Sequence, residues 1–280
     1  MKIVEGSGQV PVIYTAHHAS HDFGEFSDRV ALNEEQRVRF SDYGTSETVP
    51  TNGLFTIVTE RSRALGDINW DPDNPGRFQD RDYWQPVDNK IWIPGQELTE
   101  AEKEYCHKNY YEPFHNAIVD KLRGQNEPTF VVSWDNTAHY IIGPDDAGET
   151  SMMKPFIISN RGRRESPYDR DDETTSCDPR LIEILVPNFK HELELAGLPT
   201  EIHVNLVYRG GNICRTYSSR RHKQELIDLG IKADVQSLQM EYDTEITHDQ
   251  VTLEPKPDKI LAIKTSFSNA IEKSIKDYLK

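Results

Sequence analysis

Hydrophobic and polar positions along this chain follow two periods. The run VPVIYTA (10–16) packs β-branched and aromatic residues without a break and stops abruptly at His17 and His18. Such a pattern predicts a buried strand that delivers histidines at its C-terminal end. GLFTIVTERS (53–62) reads as a second strand, with Leu54, Thr56 and Val58 alternating with Phe55 and Ile57. TFVVSW (129–134) is a third, leading into DNTAHY and His139; EIHVNLVY ends in RGGN, and ADVQSLQMEYDTEI is a further strand. Helical spacing governs FSDRVALNEEQRVRF, DPRLIEILVPNFKHELELAGL and HKQELIDLGI. It also governs TEAEKEYCHKNYYEPFHNAIVDKL, where Thr99 and Glu102 make a capping box. Pro113 and Pro187 are expected to kink or split their helices. The tail is an amphipathic helix with apolar residues at 260, 261, 263, 267, 271, 275 and 279.

Strands alternating with helices predict an α/β fold, a mostly parallel or mixed central sheet flanked by helices. One domain is expected over residues 1–280. The stretch 71–95 reads as loop, and 143–178, dense in charge, Gly, Ser and Pro, as a loop-rich insertion over the site. In such sheets ligands bind beyond the C-terminal strand edges, which is where the polar clusters fall.

Composition narrows the function. A hydrophobic fraction of 36% and a mean hydropathy of -0.71 leave no run of about 20 apolar residues for a membrane span. The glycine-rich start is unlike a signal peptide. Cys106, Cys177 and Cys214 form no CxxC pair, which excludes a zinc knuckle and points to reduced thiols in the cytoplasm. The net charge of -15 argues against nucleic acid and leaves a small molecule as the expected partner.

Candidate chemistry concentrates in histidines. A hydrolytic zinc site needs about three His, Asp or Glu ligands and an open position for water. His18 and His21 have H-x-x-H spacing, and His139 ends another strand. The competing reading makes His17 and His18 ordinary polar residues bonded to backbone groups. Neighbours on a strand face opposite ways, so only one of that pair is expected at the site, and His17 is taken as the one turned away.

Seven segments in order resemble the N-formylglutamate amidohydrolase family: PVIYTAHHAS, SDYGTSETV, RSRALGDIN, YYEPFHNAI, FVVSWDNTAHY, NLVYRGGNICRTY and LQMEYDTEI. The resemblance implies a zinc-exopeptidase-like fold and zinc-dependent hydrolysis of the amide of a small N-acyl amino acid. It makes His18 and His139 metal ligands, with Asp42 or else His21 as the third, and Glu241 the general base. Arg63, Asn69, Arg209, Gly210, Gly211 and Arg215 become substrate-binding residues, since arginine grips carboxylates in a planar fork. His115 also matches a family position, and is expected to be packed and hydrogen-bonded. Three positions depart from the family pattern: Trp70 stands for an arginine, Thr137 for an aspartate and Tyr140 for a serine. Trp70 therefore implies a substrate other than N-formylglutamate itself, and Asp135 is a substitute for the aspartate that would orient His139. Alternatives are a zinc peptidase or peptidoglycan-type amidase of the same fold, or a metal- or ligand-binding relative without turnover.

Overall fold

Seven strands of the computed structural model form one mixed sheet, and the structure describes residues 1–82, 89–137, 141–142, 151–152 and 154–280. They are β1 (Lys2–Glu5), β2 (Val12–Ala16), β3 (Phe55–Val58), β4 (Thr129–Thr137), β5 (Phe156–Ser159), β6 (Ile202–Val204) and β7 (Val235–Asp243). Across the sheet they run β1-β3-β2-β4-β7-β5-β6. The four central strands are parallel to one another, while β1 and β5 pair antiparallel with their inner neighbours. Parallel strands covered on both faces need continuous apolar runs. β2 meets that demand, with all five residues buried.

Alternation along the central strands sends side chains to two cores. Val12, Tyr14, Phe130, Val132, Trp134, Leu238 and Met240 pack on one face. They are covered there by α5 (Pro179–Leu195) and α8 (Pro257–Tyr278), which contribute Leu185, Phe189, Phe267 and Ile271. Ile13, Phe55, Ile57, Val131 and Val235 face the other way, against Phe114, Ile118 and Leu122 of α4 (Glu112–Arg123). On that second face the apolar residues give way, toward the strand ends, to Ser133, Asp135 and Thr137 on β4. Their register partners on β7 are Gln239, Glu241 and Asp243. A polar stripe thus occupies the C-terminal edge of two adjacent strands.

The prolines behave differently from expectation. α5 runs without a break through Pro187. Before Pro113 the helix widens instead: α3 (Glu100–Cys106) passes through a π turn at His107–Tyr111 into α4. A proline ring clashes with the carbonyl four residues back and offers it no N–H, and an inserted residue relieves both problems. In the tail helix Leu261 and Leu279 are exposed, because the stripe that meets the sheet is Ile263, Phe267, Ile271 and Ile275.

Within the stretch read as an insertion, Phe156–Ser159 is a fully buried sheet strand; residues 143–150 and 153 lie outside the described residues. EIHVNLVY yields only Ile202–Val204, because Asn205 (φ 53°) and Val207 (φ 66°) turn into the left-handed region. For β-branched Val207 that conformation is strained. Among the described residues no helix is long and apolar enough to cross a membrane.

Candidate metal centre

β2 ends at Ala16, and His17 and His18 occupy the turn that follows. Thr15 pairs with Ser133, so the alternation of the strand puts His17 on the Asp135 face. The turn then brings His18 round to the same place. Both rings are buried and meet edge to face, with centroids 4.1 Å apart. This corrects the expectation that His17 turns away: alternation itself favours His17, and His18 joins it because the strand stops at Ala16 and the turn admits both.

His17 Nε2 lies 2.9 Å and His18 Nδ1 3.0 Å from Asp135 Oδ2. Asp42 Oδ2 is also 3.0 Å from His18 Nδ1, and the Asp42 N–H donates to the His18 carbonyl. His17, His18 and Asp135 are the only group of three or more metal-ligating side chains that closes to within 4.8 Å among the described residues.

The other edge of His18 is fixed by Asp67. Arg63 donates to Asp67 Oδ2 through Nη2 (2.8 Å) and Nε (3.2 Å), and Gln79 Nε2 donates to the same oxygen at 3.2 Å. Oδ1 accepts the Asn69 N–H at 2.9 Å and faces His18 Nε2 at 2.7 Å. Burial opposes the Asp67 charge, but His18 and Arg63 outweigh it and hold the carboxyl well below its usual range. An ionised carboxylate can only accept, so Nε2 of His18 carries the hydrogen. Its Nδ1 is then the atom that points at Asp42, Asp135 and His17. A short 3-10 turn (Arg63–Leu65) and Gly66, at φ 125°, return the chain so that Asp67 lies under Arg63.

Glu241 stands beside Asp135 in the β4–β7 register. Its carboxylate accepts from Thr137 Oγ1 (3.0 Å) and from Gln239 Nε2. Burial, then the Asp135 and Asp42 carboxylates, push the Glu241 carboxyl well above its ordinary value. Asp42 is raised in the same way, by burial and Asp135. Asp135 itself is held down by the two imidazoles despite its burial. For His18, burial and Arg63 favour the neutral ring, yet Asp67 and Asp135 prevail and raise its pKa well above 6.5. Burial dominates at His17 and lowers it.

This donor set fits a divalent cation. Asp42, Asp135 and Glu241 crowd together in the interior, where burial and mutual repulsion drive Asp42 and Glu241 toward the neutral acid; a bound cation would offset that repulsion and let both ionise. His17 Nε2 is out of line for a hydrogen bond to Asp135, and it and Asp135 Oδ1 have no hydrogen-bond partner. Imidazole nitrogen with carboxylate oxygen is the ligand chemistry of zinc. The Asp67–His18 pair is the usual outer support for such a ligand.

The remaining residues named from sequence are placed as follows. His139 and Tyr140 lie outside the described residues. His21 is half-exposed and pairs with Glu34 at 3.1 Å; it does not join the cluster. Arg63 is turned to Asp67 and, at 3.6 Å, to Asp42. Asn69 accepts the Ile213 N–H on Oδ1 (3.0 Å) and the Asn212 N–H on its carbonyl (2.8 Å). A Cβ at Gly211 would overlap the Asn69 amide, so the close approach there is to Asn69. Gly210 has φ 102°, and the Arg209 carbonyl accepts from Arg161 N at 2.6 Å. Arg215 is half exposed, 3.5 Å from Asp71. Trp70 is 39% exposed, and its carbonyl accepts from Tyr111 OH at 3.1 Å. His115 bridges Tyr217 OH (2.8 Å) and the Ile68 carbonyl (3.0 Å), packed against Tyr111 and Tyr217. It therefore braces the Asp67 loop from behind.

Imidazoles and carboxylates gathered at a parallel-strand edge suit a hydrolytic site on a sheet flanked by helices. Residues 10–236 match the profile of the N-formylglutamate amidohydrolase family, and the chain belongs to that family. The solved structure of N-formylglutamate amidohydrolase from Ralstonia eutropha JMP134 is similar, with a TM-score of 0.64 at 18% identity over 98% of this chain and 97% of that one. A gene product of Agrobacterium tumefaciens gives 0.62 at 16%, over 100% and 96%. At these identities the likeness concerns the fold. No curated protein sequence matches the chain.

Proposed function

We propose that this protein is a metal-dependent amidohydrolase that cleaves a small N-acyl amino acid. His17, His18 and Asp135, with Asp42 against both His18 and Asp135, form the proposed zinc site, and Glu241 is the proposed general base. A zinc ion held by that set would lower the pKa of water toward about 7 and polarise the scissile carbonyl. Glu241 would take the proton of the attacking water and return it to the leaving nitrogen, giving acid and amine. Arg209 and Arg215, flanking Gly210 and Gly211, are the proposed grip on a substrate carboxylate, since Arg63 is engaged with Asp67 and Asp42.

The observation that carries this reading is Nε2 of His18 locked to Asp67 at 2.7 Å, which leaves Nδ1 directed at the cluster. Zinc content and turnover of N-formyl amino acids, with and without chelator, test it. His18→Ala and Asp135→Asn should each strip the metal, and His17→Ala should weaken it. Glu241→Gln should keep the metal and lose turnover. His139→Ala, measured alongside, decides whether that histidine is a further ligand. Full zinc occupancy in His18→Ala would overturn the site.

A further inference from the structure

Gln239 links two parts of the site, Glu241 and the Gly210–Gly211 segment. Its side chain is buried on β7, on the same face as Glu241. The amide nitrogen donates to Glu241 Oε1, while the amide oxygen accepts the Gly211 N–H at 2.8 Å. An amide is planar, so both contacts share one orientation: swinging the oxygen after Gly211 turns the nitrogen away from Glu241.

Gly211 is in turn the first of three consecutive donors at the start of α6 (Asn212–Thr216). The next two, Asn212 N and Ile213 N, are both taken by Asn69. These three N–H groups are therefore engaged inside the protein. Movement of the Gly210–Gly211 segment reaches Glu241 through the Gln239 amide. From the strand side Thr137 holds the other carboxylate oxygen at 3.0 Å, so Gln239 decides how far the carboxylate rotates about that anchor.

We propose that Gln239 is a positioning residue that couples the Gly210–Gly211 segment to the orientation of Glu241. Substrate contact at that segment then aligns the base, an effect that rests on the proposed function of Glu241. Gln239→Glu keeps an oxygen for the Gly211 N–H but replaces the amide donor with a carboxyl that must repel Glu241 or share one proton with it. Gln239→Met is of similar length and loses both contacts.

Two measurements on the full chain test the coupling. Amide hydrogen exchange at Gly211 needs no turnover. Glu241→Met releases the Gln239 amide, and exchange at Gly211 should rise about 10-fold, with far smaller change at core amides such as Val131. Gln239→Met should raise it as much. Unchanged protection of Gly211 in Glu241→Met overturns the coupling, whatever Glu241 does in catalysis. The second measurement is steady-state hydrolysis of whichever N-formyl amino acid the parent protein turns over fastest in a panel of them. Gln239→Glu should lower kcat about 100-fold, the effect of a misplaced catalytic group, with KM kept. Gln239→Met should lower kcat and raise KM together. A merely structural residue would move stability and leave this split absent. Turnover retained in Glu241→Gln would instead refute Glu241 as the base, leaving the exchange result to stand alone.

Discussion

Replacing Asp67 with asparagine preserves shape and removes charge at the point where His18 and Arg63 meet. Oδ1 takes hydrogens from His18 and Asn69, and Oδ2 takes two from Arg63 and one from Gln79. Whichever position becomes the amide NH2, it faces at least two donors and can satisfy neither. As charged partners Arg63 would keep Asp42, at 3.6 Å, and Asp135. Removing one member of a buried ion pair costs about 3–5 kcal/mol. The remaining Asp42 contact favours the lower end, about 3 kcal/mol. At roughly 2–4 °C per kcal/mol for a chain of this size, Tm should fall by about 6–12 °C. Losing the carboxylate that orients His18 should also weaken zinc binding about 10- to 100-fold. Thermal unfolding in the presence of chelator isolates the first effect, and a competitive zinc titration reads the second. A Tm within about 2 °C of the parent, with zinc affinity intact, would refute the view that Asp67 fixes His18.

Gly211→Ala should cost about 1–3 kcal/mol, because the new methyl displaces the Asn69 amide and breaks its bond to Ile213. Urea unfolding checks this, and a midpoint equal to the parent's would show that the segment yields freely. Acid should destabilise the protein through His115, whose pKa burial lowers from 6.5 to about 4. Above pH 6.5 the ring is neutral in both states and contributes nothing. Between 6.5 and 4 only the unfolded chain binds the proton, so native stability falls with pH by up to about 3 kcal/mol, less for the part of the side chain that water reaches. Unfolding curves at pH 7, 5.5 and 4.5 for the parent and His115→Asn should differ in slope; parallel pH dependence would contradict this.

The central sheet was legible because fully buried parallel strands write themselves as unbroken apolar runs, as in β2 and β4. Phe156–Ser159 was not. Three apolar residues and a serine behind Pro155, inside a stretch rich in charge and glycine, carry no pattern of their own until β7 and β6 flank them. In the site, His18, Asp42, Arg63 and Glu241, all named from sequence, come together around Asp135. His17 was set aside because alternation admits only one of two neighbours, whereas the turn after Ala16 brings in both. Asp135 was read only as an orienting group, since nothing local distinguishes a buried aspartate that ends an apolar strand from a capping residue of the next turn. Asp67 did leave a trace, four residues after Arg63, but that spacing gains meaning only once Gly66 reverses the chain.

The π turn before Pro113 has a consequence for the architecture as a whole. One additional residue rotates everything beyond it by about 100° around the helix axis. Ahead of it, Cys106 is buried with Phe23, Leu65 and Trp92; after it, Tyr111, Phe114 and Ile118 are buried with the sheet. A straight α-helix presents one stripe and serves one core. The offset lets a single rod act as a shared beam between two, so deleting any one residue from 107–111 would put the later stripe out of phase with the sheet and pull His115 away from the loop it braces.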